Sequence, residues 1–169
     1  MNRVVTGYDE NGNPAIIASG APPTVIHAGR YTTTELWVSG RGPITATAQD
    51  ASTRDWALEP PPGGACFRIV ELAPGQDTDG SAPDDSAPDD SAPDSTGLEA
   101  EHAGFQDAHA TETLDYVTIL RGEVTLVIGD TAVTLGPGDS VVQQPGVPHD
   151  WQNRSDQPAV MVGVLVSAR

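Results

Sequence analysis

Short apolar runs separated by turn residues dominate the C-terminal part of the chain. From Asp107 onward, Tyr116–Leu120, Val124–Ile128, Ala132–Leu135, Ser140–Gln144, His149–Asn153 and Ala159–Val166 are strand-length segments, several rich in β-branched residues. Between them stand Arg121-Gly122-Glu123, Gly129-Asp130, Gly136-Pro137-Gly138-Asp139 and Pro145-Gly146-Val147-Pro148, whose glycines and prolines favour tight turns. Helical periodicity is almost absent. Six strands at this spacing predict an all-β barrel or sandwich. Residues 1–75 carry the same grammar more loosely, with β-rich pieces at Arg30–Val38 and Ala65–Leu72 among Asn13-Pro14, Pro22-Pro23 and Pro60-Pro61-Pro62-Gly63-Gly64.

One stretch breaks the pattern. Residues 76–98 contain Ser-Ala-Pro-Asp-Asp twice and then Ser-Ala-Pro-Asp-Ser, with no large apolar side chain in any repeat. Such a segment cannot bury enough surface to offset the entropy of ordering it. It reads as an acidic, self-repelling loop between residues 1–75, taken as N-terminal strands and a dimer arm, and a core over 99–169. The chain holds 24 acidic and 8 basic residues, a formal charge of −16. Nine of the acids lie between Asp77 and Glu101, so the remainder is less acidic than the total implies. This balance argues against nucleic acid and anionic membranes as partners. With a single cysteine, no apolar run near the ~20 residues of a membrane helix and no signal-like N-terminus, a soluble cytoplasmic protein is expected.

Alternation gives the strands chemistry. Side chains two apart on a strand share a face, so His109, Thr111, Thr113 and Asp115 point one way, and His149, Trp151 and Asn153 share a face of a later strand. Polar residues aimed inward are costly unless paired or bound to something. That row therefore predicts a wet pocket or a metal rather than a packed core. Two imidazoles and a carboxylate suit Fe, Mn, Ni or Zn, with open positions for water or substrate; without a metal, His149 or His109 working with Asp115 can move protons.

The same residues resemble the two motifs of the cupin superfamily. In the first, His109 takes the place of the first histidine, Thr111 of the second, Asp115 of the glutamate and Gly122 of the glycine. The second fits Gly138, Gln144-Pro145-Gly146, His149 and Asn153, with the proline one position late. The phrases Arg3–Asn11, Thr33–Val38 and His109–Tyr116 also resemble a subgroup of small bacterial and fungal monocupins. The resemblance implies a jelly-roll, or double-stranded β-helix, barrel with an N-terminal strand extension. It implies a divalent metal on His109, Asp115 and His149, a small organic substrate, oxygenase or lyase-type chemistry, and a homodimer. Catalysis is expected of His149 and Asp115, and the substrate pocket of Thr111, Thr113, Gln144 and Trp151. Metal-free isomerase, dehydratase or cyclase chemistry and ligand binding without turnover are the alternatives. His102 is a weaker replacement ligand, and His27 is read as structural or exposed. Tyr116 is expected to face outward, Cys66 to be a small buried side chain, and Glu35 and Trp37 to share a strand face, with Trp37 in the core.

Overall fold

The computed structural model describes residues 1–42, 56–75 and 108–169. The acidic repeats and His102 lie outside the described residues. Eleven strands are present: β1 (Arg3–Tyr8), β2 (Pro14–Gly20), β3 (Thr24–Ala28), β4 (Tyr31–Ser39), β5 (Ala65–Leu72), β6 (Thr113–Arg121), β7 (Val124–Ile128), β8 (Thr131–Leu135), β9 (Ser140–Gln143), β10 (Asp150–Gln152) and β11 (Ala159–Ser167). The fold is all-β, as the apolar pattern predicts. No helix among the described residues is long and apolar enough to cross a membrane.

Strands β3-β4-β5-β11-β6-β9 form one antiparallel sheet, β10-β7-β8 a second, and β1-β2 a separate hairpin. The two larger sheets share one apolar core. Val70, Leu72, Val117, Ile119, Ala159 and Met161 come from the six-stranded sheet, and Val124, Leu126 and Trp151 from the three-stranded one. Both faces therefore close on a common interior, as in a jelly roll. Burial alternates along β6, with Thr113, Asp115, Val117 and Ile119 inward and Tyr116 51% exposed.

Alternation fails in β4. A bulge between Glu35 and Trp37 shifts the register, so Glu35 pairs with Arg68 while Trp37 pairs with the exposed Phe67. An extra residue at a bulge re-aims the side chains beyond it. Glu35 and Trp37 therefore do not share a face: Glu35 is buried and Trp37 is only half-buried. His27 is exposed and within 3.0 Å of the Thr32 hydroxyl, and Cys66 is buried outside any disulfide, both as expected.

The two residues that end the motifs have structural roles. Asn153 is fully buried; its Nδ2 donates to the carbonyls of Leu72 (3.1 Å) and Gln157 (2.8 Å), and its Oδ1 accepts from Ser155 N (3.0 Å) and Oγ (2.7 Å). It thereby fastens the β10–β11 turn to the end of β5. Gly122 sits at φ +74°, where a Cβ would stand 2.7 Å from both Ala159 Cα and the Pro158 carbonyl oxygen. Only a residue without a side chain lets the β6–β7 turn lie against the start of β11.

Gly122→Ala should therefore cost about 3 kcal/mol, summing left-handed strain and an overpacked backbone contact. Gly146→Ala, at φ +73° with nothing near its Cβ, should cost only ~1–2 kcal/mol. Urea denaturation of both variants checks the difference; equal losses would refute the close-approach argument.

Candidate functional site

The interior between the sheets is not all apolar. A cavity of about 60 Å³ is lined on its polar side by Arg68, His109, Thr111, Asp115 and His149, together with Tyr31 and Trp151. Val70, Val117, Met161, Gly163 and Leu165 form its apolar floor and walls. Since about 10–15 Å³ is enough to hold one water, the space admits a small group of a few atoms.

Three elements bring the expected residues together. His109 precedes β6 and forms an isolated antiparallel bridge with His149, each backbone N–H donating to the other's carbonyl (3.0 and 2.9 Å). Their rings lie 4.7 Å apart between centroids, tilted by 54°. The turn before His149 is docked by Gly146 N–H donating to Thr111 O at 2.9 Å. Trp151 meets His149 edge-on at 6.3 Å and serves both as cavity wall and as core. Thr111 lines the cavity, and the Thr113 hydroxyl, fully buried beside it, donates to the Thr111 hydroxyl at 2.9 Å. Thr113 therefore supports the pocket wall rather than lining it.

Gln144 is not a pocket residue. β9 ends at Gln143, and Gln144 enters the following turn with its side chain exposed. The buried glutamine is Gln143, opposite Asp115 on β6, with its amide 3.2 Å from the Val147 carbonyl. A slip of one residue reverses the face. Sequence reasoning also missed Arg68 and Tyr31. Arg68 is 1% exposed. Its Nη2 contacts Glu35 Oε2 at 2.9 Å and Ala57 O at 3.2 Å, its Nη1 donates to Leu58 O at 2.9 Å, and its guanidinium stands 5.7 Å from the Trp56 ring centroid. Opposite charges, Glu35 in β4 and Arg68 in β5, were the available signal. Tyr31 donates its hydroxyl to Trp151 O at 2.9 Å, and burial pushes that phenol up.

The electrostatics favour neutral forms. His149 Nδ1 lies 2.9 Å from the Val147 carbonyl, which only accepts, so Nδ1 carries the proton and Nε2 the lone pair. Burial holds His149 below the ordinary imidazole range; the Val147 bond opposes this, His109 adds to it, and Asp115 and Asp150 oppose it. Burial pushes Asp115 up, against weaker pulls from the Thr113 hydroxyl, His149, Arg68 and His109. Asp115 Oδ1 is buried with no hydrogen-bond partner among the described residues.

The donor set does not fit the metal that the motifs imply. Among the described residues, no three His, Cys, Asp or Glu side chains are grouped so that they could hold a metal ion. Thr111, at the place of a second histidine, is engaged with the Thr113 hydroxyl. His109, Asp115 and His149 line one cavity but do not form such a group among the described residues. No step below is routed through a metal.

Two facing antiparallel sheets around a His/Asp pocket define a double-stranded β-helix protein. Residues 98–166 match the family model of the cupin domain. Two proteins of Diaporthe leptostromiformis, phomopsin biosynthesis cluster protein C' and protein D, are each 29% identical to it over 164 residues, 91% of this chain and 71% of theirs. An RmlC-like cupin with a double-stranded β-helix fold from Methanocaldococcus jannaschii aligns over 62% of this chain and 71% of its own, at 14% identity and TM-score 0.42.

The two shifted groups give opposite pH signatures. Raised in the fold, Asp115 favours the folded state most below its unfolded value of 3.8, and that contribution is lost as pH climbs through its folded value. Lowered in the fold, His149 contributes fully above its unfolded value of 6.5, and that contribution is lost as pH falls through its folded value. Asp115→Asn should therefore melt higher than the native protein at pH 7–8, with the advantage vanishing toward pH 4. Thermal melts across that range check it; an Asn variant less stable at neutral pH would contradict the assignment.

Proposed function

We propose that the cavity is a metal-independent acid–base site for a small organic carbonyl compound, of the isomerase, dehydratase or cyclase type. What carries the reading is a pair of half-reactions in one cavity: an imidazole whose Nε2 is held as a base, and a buried carboxyl with an unpartnered oxygen and a raised affinity for a proton. His149 Nε2 takes a proton from the carbon beside the carbonyl, breaking the C–H bond. The electron pair moves to form an enol as Asp115 protonates the carbonyl oxygen. For a β,γ-unsaturated carbonyl compound the enol is a dienol, and transfer of the His149 proton to its γ carbon, with the enol proton returned to Asp115, shifts the double bond and completes an isomerisation. Thr111 and Trp151 shape the space, and the apolar walls keep water from the enol.

The test is α-proton exchange into 2-butanone in D₂O, followed by NMR, on untagged protein assayed for metals. Exchange above the buffer background is expected, with less than about 0.1 metal ion per chain and a fall of ~10²–10⁴-fold in His149→Ala. One Fe, Mn, Ni or Zn per chain, lost in His149→Ala, would overturn this reading in favour of the metal site. Binding without any exchange would leave a ligand-binding module.

The partner expected for the fold is a second copy, and we propose that it docks on the outer face of the six-stranded sheet. There the register aligns Trp37, Phe67, Val164, Tyr116 and Val142 across five strands, with Phe67, Tyr116 and Val142 41%, 51% and 60% exposed. Five strands at about 4.8 Å spacing make a band some 20 Å wide, and apolar patches of a few hundred Å² mark interaction sites. No charged residue interrupts the row, so two copies of a chain of net charge −16 meet there with least repulsion. Tyr116→Glu should convert a dimer to a monomer in light scattering while the fold persists. A native monomer, or a dimer unaffected by that change, would refute the assignment.

A further inference from the structure

The floor of the cavity has a gap. On β11, Met161, Gly163 and Leu165 face inward, and Gly163 stands directly between Arg68 on β5 and Val117 on β6. An isolated glycine in a strand often marks a place where something approaches the backbone closely. Here the backbone does not require it. Gly163 is not in the left-handed region, and a Cβ would make only ordinary contacts, 3.5 Å from Leu165 Cδ1, 3.8 Å from Val117 Cγ2 and 4.0 Å from the Tyr116 carbonyl oxygen. What the missing side chain provides is room.

Two of the residues that line the cavity with Gly163 each hold a buried polar atom without a hydrogen-bond partner among the described residues: Arg68 Nε and Asp115 Oδ1. Nη1 and Nη2 of Arg68 are each engaged, by Leu58 and by Glu35 and Ala57, whereas Nε–H meets no acceptor among the described residues. Buried donors are almost always satisfied, by protein, water or ligand. A ligand acceptor lying over Gly163 is in the place to satisfy this one.

Charge selects the kind of acceptor. The Arg68 cation is already neutralised by Glu35 at 2.9 Å, with both side chains at most 4% exposed. An anionic head group would enter with no counter-charge to spare and would face the Asp115 carboxyl. A cationic one would find no unpaired counter-charge beside it on Arg68 or Glu35 and would leave Nε–H unmet. Both cases bury a charge without compensation. We infer that the buried end of the ligand is an uncharged carbonyl group of a few non-hydrogen atoms, seated over Gly163 and accepting a hydrogen bond from Arg68 Nε. This rests on the cavity being the substrate site, but it concerns recognition and not proton transfer.

Binding of three probes, 2-butanone, propionate and propylammonium, is measured on the whole chain at pH 7 through the NMR shift of the Trp151 indole. Saturable binding of 2-butanone in the millimolar range is expected, at least tenfold tighter than either charged probe. Gly163→Val should weaken it at least tenfold and Gly163→Ala about threefold. The alanine variant, whose Cβ meets no backbone clash, keeps the test alive if the valine variant does not fold. Propionate or propylammonium binding as tightly as 2-butanone overturns the uncharged head group, and so does failure of 2-butanone to saturate. Unchanged affinity in both folded glycine variants overturns the seat over Gly163. Loss of proton exchange with 2-butanone binding intact would sink the catalytic reading alone and leave this recognition standing.

Discussion

The register of β11 is the constraint on which the site depends. This strand lies between β5 and β6 along nearly its whole length, and its pairings fix which inward residues become neighbours. One row sets Arg68, Gly163 and Val117 side by side; the next sets Cys66, Leu165, Asp115 and Gln143. A slip of one residue would turn Met161, Gly163 and Leu165 to the outer face and bring the valines between them into the cavity. The register is held at one end by Gly122, which lets the β6–β7 turn lie against Ala159. Asn153 holds the same end by binding the chain that leads into β11. The glycine and asparagine of the motifs thus act on the chemistry only through strand placement.

Much of this was legible because burial follows a two-residue period. All six strands read from the C-terminal apolar pattern exist, and the inward row from His109 to Asp115 keeps its phase although regular strand begins only at Thr113. What could not be read depends on local breaks in that period or on contacts distant in sequence. Gln144 was placed by its position in a motif, but the strand ends one residue earlier and the turn carries it outward. The β4 bulge separates Glu35 from Trp37, and no sequence signal announces a bulge formed without glycine. Arg68 reaches the cavity only through pairing between strands some 95 residues apart in the chain, which neither alternation nor a local motif encodes. Gly163, in the valine-rich segment AVMVGVLVS, was an available signal.

Among the described residues the motif positions do not assemble three metal-donor side chains. Thr111 turns its hydroxyl to Thr113 and the carboxyl sits where burial favours its protonated form, while the Nδ1 bond of His149 to a backbone carbonyl leaves Nε2 free to serve as base or as ligand. A divalent cation requires its carboxylate ligand ionised and its donors convergent. Here desolvation acts on both titratable groups in the same sense, disfavouring the charged form of each. That bias is what an acid and a base need if they are to work as neutral partners near pH 7.

The contrast between surface and interior follows from the same reasoning. The chain carries a formal charge of −16, yet the one cation among the Arg and Lys residues lining the cavity is spent on Glu35. In the proposed reading an anion is disfavoured twice, first by long-range repulsion from the net negative chain and then by desolvation at the pocket. Neutral carbonyl compounds pay neither penalty. They need from the protein only a donor for the oxygen, a base beside the adjacent carbon and space for a few atoms. In the proposed reading Arg68 and Asp115, His149 and the missing side chain at Gly163 supply these in turn, and the placement of Arg68, Gly163 and Asp115 traces back to one strand register.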